Sequence, residues 1–181
     1  MRSKRSGISS LVIHPVAEGL SAVGLSGVDG GLLRVVKMEH GTHDLGWVGD
    51  VVETHPVSLE LLLDDGVTPI VSPISLGLDG HTYNVNADHA AAALACALGA
   101  EELVFVSNVP GVLDGADGEC IPVLDADDVE SLIAAGTIHS GMVPKVRSAL
   151  EALDAGVPRV RITDLDGLRA DGGTCFQSLK R

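Results

Sequence analysis

One phrase recurs along the 181-residue chain and constrains its fold more than any other feature. In each copy a helical stretch ends at a glycine and a short aliphatic run follows. The copies are LLLDDG-VTPIVSPIS, ALACALG-AEELVFVSN and ALEALDAG-VPRVRITD, and VAEG-LSAVGLSG looks like a fourth. Glycine suits the left-handed residue that closes a helix, and unbroken aliphatic runs are typical of buried parallel strands. The pattern predicts an α/β fold, a three-layer α-β-α sandwich with a mostly parallel central sheet.

Asp-Gly pairs mark tight turns that interrupt this rhythm. They are Asp79-Gly80, Asp114-Gly115 and Asp117-Gly118. Because Asp-Gly favours hairpin turns, we expect short antiparallel additions to the main sheet at these places. The sequence contains no linker or low-complexity tract, so residues 1–181 are predicted to form a single domain.

The charge balance excludes several classes of partner. With 25 acidic against 12 basic residues the net charge is −13, which disfavours nucleic-acid binding and a polybasic membrane anchor. No apolar run has the length of a membrane span. The three cysteines are odd in number and lack CxxC spacing, which argues against a disulfide framework and a zinc site. We therefore expect a cytoplasmic protein with no protein-bound metal.

Polar residues follow the aliphatic runs, and ligands of open α/β sheets bind beyond the carboxyl ends of strands. The segment Tyr83–Asp88 leads directly into an alanine-rich helix. Asp88 could cap that helix. Alternatively, Asn84, Asn86 and Asp88 together form a polar site for an anionic substrate or for a nearby lysine. The spacing leaves both interpretations open.

Two further loops carry distinctive residues. Ser107–Leu113 follows the predicted strand Leu103–Val106 and contains a Pro-Gly turn. Ser140–Val146 opens a helix with Pro144 near its first turn, and the apolar stripe of that helix is predicted at Val146, Leu150 and Leu153. Lys145 falls beside this stripe, at a helix N-terminus where a cation is unfavourable. A phosphate group would supply the compensating anion.

Other candidate sites are better explained as ordinary structure. The glycines of Gly24–Gly31 do not match GxGxxG, and the chain has no GxxxxGK[ST] motif. His40 and His43 are interpreted as residues of a surface loop, since no further ligands lie at metal spacing. The acids that begin at Asp125 gather at a helix start, where capping is a better explanation than metal binding.

The polar loops belong to a longer set of segments that resembles the acetylglutamate kinases of the amino-acid kinase superfamily. The segments are AVGLSGVDGGLL (22–33), GWVGDVV (46–52), TPIVSPIS (68–75), YNVNADHAAAALACALGAEELVFVSNVPGVL (83–113), SGMVPKV (140–146) and GGT (172–174). Their order and spacing match the family from about Ala22 onward. The resemblance implies a carbamate kinase-like fold. It also implies phosphorylation of the side-chain carboxylate of N-acetyl-L-glutamate by ATP, the second step of arginine biosynthesis.

The resemblance also implies roles for particular residues. Lys145 would stabilise charge on the transferring phosphoryl group, Asp88 would organise the catalytic lysines, and Asn84 would contact the acetylglutamate. Mg²⁺ would arrive with ATP, and no tightly bound cofactor is implied. The implied nucleotide-binding residues are Asn108, Val109, Pro110, Gly111, Val112, Leu113, Thr137, Ile138 and His139.

Two departures from the family pattern leave alternatives open. Members usually have Asp where this chain has Asn108, which affects nucleotide or metal contacts. The family's first strand, with its Lys-x-Gly-Gly loop, has no counterpart here, so we expect an N-terminally truncated chain or a start placed too far downstream. The alternatives are a carrier-protein-linked aminoadipate or glutamate kinase of lysine biosynthesis, and a non-catalytic nucleotide-binding remnant. A homo-oligomer also stays open.

Overall fold

The chain divides within the helix Ala87–Ala97 into two units, Met1–Ala90 and Ala91–Arg181. The computed structural model describes residues 7–39, 41, 44–115 and 118–178, with side chains from residue 11 onward. His40, His43 and Asp117 lie outside the described residues, so the interpretations placed on them stay predictions. The expectation of a single domain also stays a prediction.

The first unit builds a five-stranded sheet. Strands β1 and β2 each run parallel to β4, while β2–β3 and β4–β5 pair antiparallel. The sheet order is therefore β1-β4-β2-β3, with β5 beside β4. The elements are α1 (Gly7–Ala17), β1 (Ala22–Gly27), β2 (Leu33–Lys37), β3 (Gly49–Thr54), α2 (Val57–Asp64), β4 (Thr68–Gly77), β5 (Thr82–Asn84) and the start of α3 (Ala87–Ala97).

The second unit builds a four-stranded sheet in the order β6-β8-β9-β7. The pairs β6–β8 and β7–β9 are parallel, and β8–β9 is antiparallel. Together with the first sheet, this confirms the predicted α/β class with mostly parallel pairing. After the remainder of α3, the elements are β6 (Leu103–Val106), β7 (Val123–Leu124), α4 (Ala126–Ala134), α5 (Met142–Asp154), β8 (Val160–Thr163), α6 (Leu165–Arg169) and β9 (Thr174–Phe176).

The glycines of the recurring phrase close their helices as predicted. Each of them has a positive φ, between 59° and 104°. After α2 the amide of Gly66 donates to the carbonyl of Leu63 and the amide of Val67 donates to that of Leu62, so the terminal carbonyls of the helix find partners. The glycines concerned are Gly19, Gly66, Gly99 and Gly156.

The Asp-Gly turns also fall where they were predicted. Gly80 has φ +85° in the turn between β4 and β5, where the amide of His81 donates to the Asp79 carboxylate at 3.0 Å. Residues Leu113 and Cys120 form an antiparallel bridge around the second turn. Both hairpin-like additions are therefore confirmed.

Burial along the strands follows the sequence prediction only in part. All four residues of β8 are buried, but β1 and β4 are only half-buried along most of their length. The prediction that these aliphatic runs are buried is therefore wrong for β1 and β4. An apolar run indicates only that a strand can be buried. How much of the strand is exposed depends on which neighbouring elements cover each of its faces.

The apolar stripe of α5 also differs from its prediction. Val146 is fully buried as predicted, but the other fully buried apolar positions are Ala149 and Ala152, while Leu150 and Leu153 are only partly buried against the core. Small residues at these positions allow the helix to approach the sheet closely, since alanine keeps the two backbones near each other.

The acidic start of α4 is a helix cap, as predicted. The Asp125 carboxylate accepts from the amide of Asp128 at 2.9 Å, and the Asp128 carboxylate accepts from the amide of Asp125 at 3.2 Å. This reciprocal capping box satisfies two amides that the helix itself leaves without partners. None of the described helices is long and apolar enough to cross a membrane.

Candidate functional site

A cavity of about 340 Å³ in the second unit gathers most of the implied nucleotide-binding residues. The loop that follows β6 forms one side of it, and the turn before α5 forms another. Asn108 and Pro110 belong to the same loop but are exposed and do not line the cavity. The sequence analysis missed Gly115 and Met142. The lining residues are Val109, Gly111, Val112, Leu113, Gly115, Thr137, Ile138, His139 and Met142.

Hydrogen bonds hold the loop after β6 at both of its ends. The amide of Ser107 donates to the carbonyl of Thr163 at 2.7 Å, next to the end of β8. The amide of Val112 donates to the Thr174 hydroxyl at 2.8 Å. The wall that this loop gives to the cavity is therefore fixed by contacts to two other strands of the same sheet.

Gly111 is required at its position in this loop. Its φ is +153°, a conformation that other residues rarely adopt. A Cβ at this position would lie 2.5 Å from Sγ of Cys120 and 2.6 Å from Oγ1 of Thr174, both closer than van der Waals contact allows. The Pro-Gly pair therefore does more than turn the chain, because it lets the backbone pass close to two other side chains.

The turn before α5 brings the other group of implied residues to the cavity. Ile138 is 2% exposed, and its amide donates to the carbonyl of Leu132 at 3.1 Å. The exposed His139 faces Ser140 through a contact of 3.3 Å between Nδ1 and Oγ. Ser140 has φ +50°, which is uncommon for a residue other than glycine. This strained residue lies directly before Gly141 and the first turn of α5.

Lys145 lies on the first turns of α5, one residue after Pro144, as the sequence predicted. Its Nζ is 5.3 Å from the centroid of the Phe105 ring, a cation–π distance. Phe105 is buried in β6, the strand that leads into the cavity-lining loop. Lys145 does not line the cavity itself. It contacts Phe105 of β6, and the loop that lines the cavity follows the same strand.

Helix α3 is capped by Asn86, not by Asp88. The Asn86 Oδ1 accepts from the amide of Asp88 at 2.9 Å and from the amide of His89 at 3.4 Å. The capping role, which the sequence left open for Asp88, therefore belongs to Asn86. The helix begins at Ala87, which places Asp88 in its first turn and leaves the preceding asparagine as the cap. The Asp88 side chain is half-buried.

Asn84 lines a second cavity, of about 320 Å³, within the first unit. It is the last residue of β5, and its amide donates to the carbonyl of Trp47 at 2.8 Å. The sequence analysis quoted the segment around Trp47 but gave it no role. The other lining residues are Trp47, Ile74, His81, Thr82 and Tyr83.

Aromatic rings and one carboxylate shape this second cavity. Trp47 stacks on His81 at 5.1 Å and meets Tyr83 edge-on at 5.5 Å. The Tyr83 hydroxyl donates to Asp79 at 2.7 Å. This bond, together with the donated His81 amide, lowers the pKa of Asp79, and the same carboxylate raises the pKa of Tyr83. Among the residues that the structure describes, no cluster of three or more His, Cys, Asp or Glu could hold a metal ion.

Comparison with known sequences gives consistent matches. Residues 8–164 match the amino acid kinase family. The acetylglutamate kinase of Roseiflexus castenholzii is 54% identical over 162 residues, which cover 90% of this chain and 61% of that protein. The acetylglutamate kinase of Methanopyrus kandleri is 45% identical over 170 residues, which cover 91% of this chain and 69% of that protein. The chain thus spans about three fifths of the Roseiflexus protein.

Solved structures agree with these matches. The protein smu.665 from Streptococcus mutans superposes with a TM-score of 0.77 at 29% identity, over 94% of this chain and 68% of that one. N-acetylglutamate synthase from Neisseria gonorrhoeae, complexed with coenzyme A and N-acetyl-glutamate, gives 0.79 at 27% identity, over 96% and 41%. A carbamate kinase from Giardia lamblia bound to AMP-PNP shares the fold, with a TM-score of 0.58 at 21% identity over 80% and 52% of the two chains.

Proposed function

This chain belongs to the amino acid kinase family, and on that premise we propose that it transfers the γ-phosphoryl group of ATP to the side-chain carboxylate of N-acetyl-L-glutamate. One observation carries the proposal. Residues from two separate stretches of sequence, Val109–Leu113 and Thr137–His139, meet around one cavity of the second unit. The resemblance assigns both stretches to ATP, and the relatives named acetylglutamate kinase supply the acceptor.

The shape and lining of this cavity support a nucleotide. Its volume of about 340 Å³ lies within the range of small-molecule sites. The walls are mostly apolar, from Val109, Leu113 and Met142, which suits the flat face of a purine. Thr137 and His139 also line the cavity, and their polar groups can orient a ligand. We propose that the adenine half of ATP binds here.

Lys145 is proposed to act on the transferring group. In the reaction a carboxylate oxygen attacks the γ-phosphorus, the bond from that phosphorus to the β–γ bridging oxygen breaks, and ADP leaves with the electron pair. Phosphoryl transfer depends on positioning and charge neutralisation more than on covalent chemistry of the protein. A lysine held over Phe105 keeps its ammonium group at β6, from which the cavity-lining loop departs. A fixed cation there can stabilise charge that develops on the phosphoryl oxygens.

The acceptor side of the reaction is proposed for residues of the first unit. Asn84 offers an exposed side-chain amide beside an aromatic cavity, which suits an N-acylated amino acid with a polar and an apolar part. Asp88 is proposed to organise the catalytic lysines, the role that the resemblance gives it. This role is compatible with Asn86 being the helix cap, since the Asp88 carboxylate is then not used for capping.

Mg²⁺ is proposed to enter with ATP as part of the substrate. Asn108 stands where the family usually has Asp, at the start of the cavity-lining loop, and its Oδ1 accepts from the Ser107 hydroxyl at 3.4 Å. An amide oxygen can contact a hydrated Mg²⁺ or a nucleotide hydroxyl, but it adds no negative charge. The presence of Asn in place of Asp at position 108 therefore affects nucleotide or metal contacts and leaves Lys145 in place.

Asn108 also favours one other acceptor. Asparagine at this position is familiar in the carrier-protein-linked aminoadipate and glutamate kinases of lysine biosynthesis, so these substrates form the second candidate function. The Tyr83–Asp88 segment favours acetylglutamate, because that sister group tends to vary there. The two acceptors share a side-chain carboxylate and an acylated amino group. An assay with each acceptor in turn therefore separates the two functions.

Coupled ADP release with Mg-ATP and N-acetyl-L-glutamate tests the proposal. The 181-residue chain should bind ATP weakly and turn over negligibly. A chimera that adds the part of the Roseiflexus castenholzii enzyme not spanned by this chain should release ADP in an acetylglutamate-dependent way. Carrier-linked aminoadipate in place of acetylglutamate should give no release. A chimera without any turnover would favour the non-catalytic remnant, and robust turnover by the chain alone would contradict the mechanism implied by the resemblance.

A further inference from the structure

The segment Gly172–Thr174 has no role in the function proposed above, yet it lies directly behind the wall of the nucleotide cavity. We propose that Thr174 is a positioning residue, whose hydroxyl holds the cavity-lining loop in the conformation that binds the nucleotide. This inference rests on the proposed ATP site. It adds a residue that does not touch the cavity and acts only through Val112.

The hydroxyl of Thr174 joins the two sides of one loop. It accepts from the amide of Val112 at 2.8 Å and donates to the carbonyl of Ile121 at 2.7 Å. The amide of Ile121 donates in turn to the carbonyl of Val112 at 2.8 Å. Thr174 is fully buried, so water cannot replace these bonds. The hydroxyl therefore fixes the backbone of Val112, one of the residues that line the cavity.

The backbone of Thr174 is held independently of this loop. It begins β9, where it pairs with Ile162 of β8. The turn before it is held by Arg161, which is 3% exposed. The Arg161 guanidinium donates to the Asp171 carboxylate at 2.7 Å and to the carbonyl of Gly172 at 3.1 Å. Thr174 thus presents its hydroxyl to the loop from a strand that is held by its own sheet pairing.

The Thr174 hydroxyl also limits how closely the loop can approach β9. Gly111 passes Thr174 so closely that a Cβ would lie 2.6 Å from its Oγ1. The glycine and the threonine are therefore a matched pair, one without a side chain and one with a short polar side chain. The Gly-Gly-Thr segment and the Pro-Gly turn thus meet in the fold although more than 60 residues separate them in the sequence.

A matched control for the test is present in the same unit. Thr163 is also fully buried and lies at the end of β8, as Thr174 lies at the start of β9, but the Thr163 Oγ1 has no hydrogen-bond partner among the described residues. Both threonines can be changed to valine, which has nearly the same shape and lacks the hydroxyl. Only the change at Thr174 removes bonds to the loop, so the pair separates loss of those bonds from loss of a buried hydroxyl in general.

The experiment measures Mg-ATP affinity by calorimetry and amide exchange of Val112 by NMR on the 181-residue chain. We expect Thr174→Val to raise the Kd for ATP by roughly 2- to 12-fold, the ratio that corresponds to one lost hydrogen bond of ordinary strength. The Val112 amide should exchange faster in the absence of nucleotide as well. Thr174→Ser keeps the hydroxyl and should restore both values, and Thr163→Val should match the wild type.

Each other outcome has a defined meaning. A folded Thr174→Val with unchanged Kd and unchanged Val112 exchange would overturn the inference, as would equal effects of the two valine variants. If Thr174→Val does not melt cooperatively, Thr174→Ala removes the hydroxyl without adding a methyl group beside Cys120. Failure of both to fold, with Thr163→Val folded, would show a structural role and overturn positioning. A wild-type chain that does not bind ATP would instead refute the proposed function, and Val112 exchange would still test the hold on the loop.

Discussion

The two units differ in how many of their apolar side chains they bury. In the second unit a single cluster of buried residues joins α3, α4, α5 and both ends of the sheet, and Val129, Val146 and Val160 are completely buried. In the first unit the buried set is smaller. Most of the large apolar side chains that are exposed in the described residues lie there, among them Leu11 at 64% and Leu61 at 64%.

The walls of the two cavities differ in the same way. The cavity proposed for the nucleotide rests on a packed core, and buried residues such as Val112 and Ile138 are part of its wall. The cavity at Asn84 has more exposed walls, since Trp47 is 60% exposed and Ile74 is 41% exposed, although Tyr83 is buried. Packed interiors hold their side chains in fixed positions, whereas exposed side chains reposition more easily. The cavity of the second unit is therefore expected to be the more rigid of the two cavities.

The largest effect is expected from a pair of isoleucine changes that compares the two sheets directly. Ile162→Ala removes a fully buried side chain from β8 and should lower the unfolding free energy by about 2–5 kcal/mol. Ile74→Ala in β4 removes a side chain that is 41% exposed and should cost about 1 kcal/mol or less. Denaturant unfolding measures both. Equal losses of unfolding free energy would show that the two units are packed alike, and would contradict the difference described above.

The next effect concerns the chemistry assigned to the second unit. Lys145→Ala should lower kcat of the chimera by at least about 100-fold, the scale of losing one preorganised charge stabiliser. Arg147→Ala is the control on the same helix. Its exposed ion pair with Glu130, at 3.2 Å, should contribute little to stability or turnover. Wild-type turnover in Lys145→Ala would refute the catalytic assignment.

A third pair of variants tests the first turn of α3, where the division between the units falls. Asp88→Asn should reduce kcat of the chimera by about 10- to 100-fold, a loss typical of a group that orients another one. Its thermal stability should barely change, since Asn86 is the cap. Asn86→Ala should instead cost about 0.5–2 kcal/mol of unfolding free energy. Major destabilisation by Asp88→Asn with intact activity of the folded fraction would reverse these roles.

The smallest effect is a pH dependence confined to the first unit. The Tyr83 hydroxyl holds the pKa of Asp79 below its ordinary value. A carboxyl group whose pKa is lowered by folding stabilises the protein above its unfolded pKa of about 3.9, and that contribution is lost as the pH falls through the folded value. Melting temperatures of wild type and Asp79→Asn should therefore differ at pH 6, and the difference should shrink as the pH falls below about 3.9. A difference that persists at low pH would have another cause.

Much of the site could be predicted from local sequence. The strand Leu103–Val106 has the predicted bounds, Pro144 lies in the first turn of its helix, and the loop Val109–Leu113 lines a cavity. The aromatic cavity at Trp47 was not predicted, because its rings come from two segments that the sequence separates by more than 30 residues. The sequence did not identify Asn86 as the cap of α3, since Asn86 and Asp88 are both good caps and only the first helical residue decides between them.

The sequence by itself determined the local elements of this protein. Helix-closing glycines, aliphatic strands and Asp-Gly turns each depend on the conformational preferences of a few adjacent residues, and those within the described residues fall where the pattern predicts. The tertiary structure decided which strands are covered on both faces, as β8 is and β4 is not. It also decided that the hydroxyl of Thr174 reaches Val112. Burial and such contacts depend on residues far apart in the chain, and no local preference specifies which of them meet.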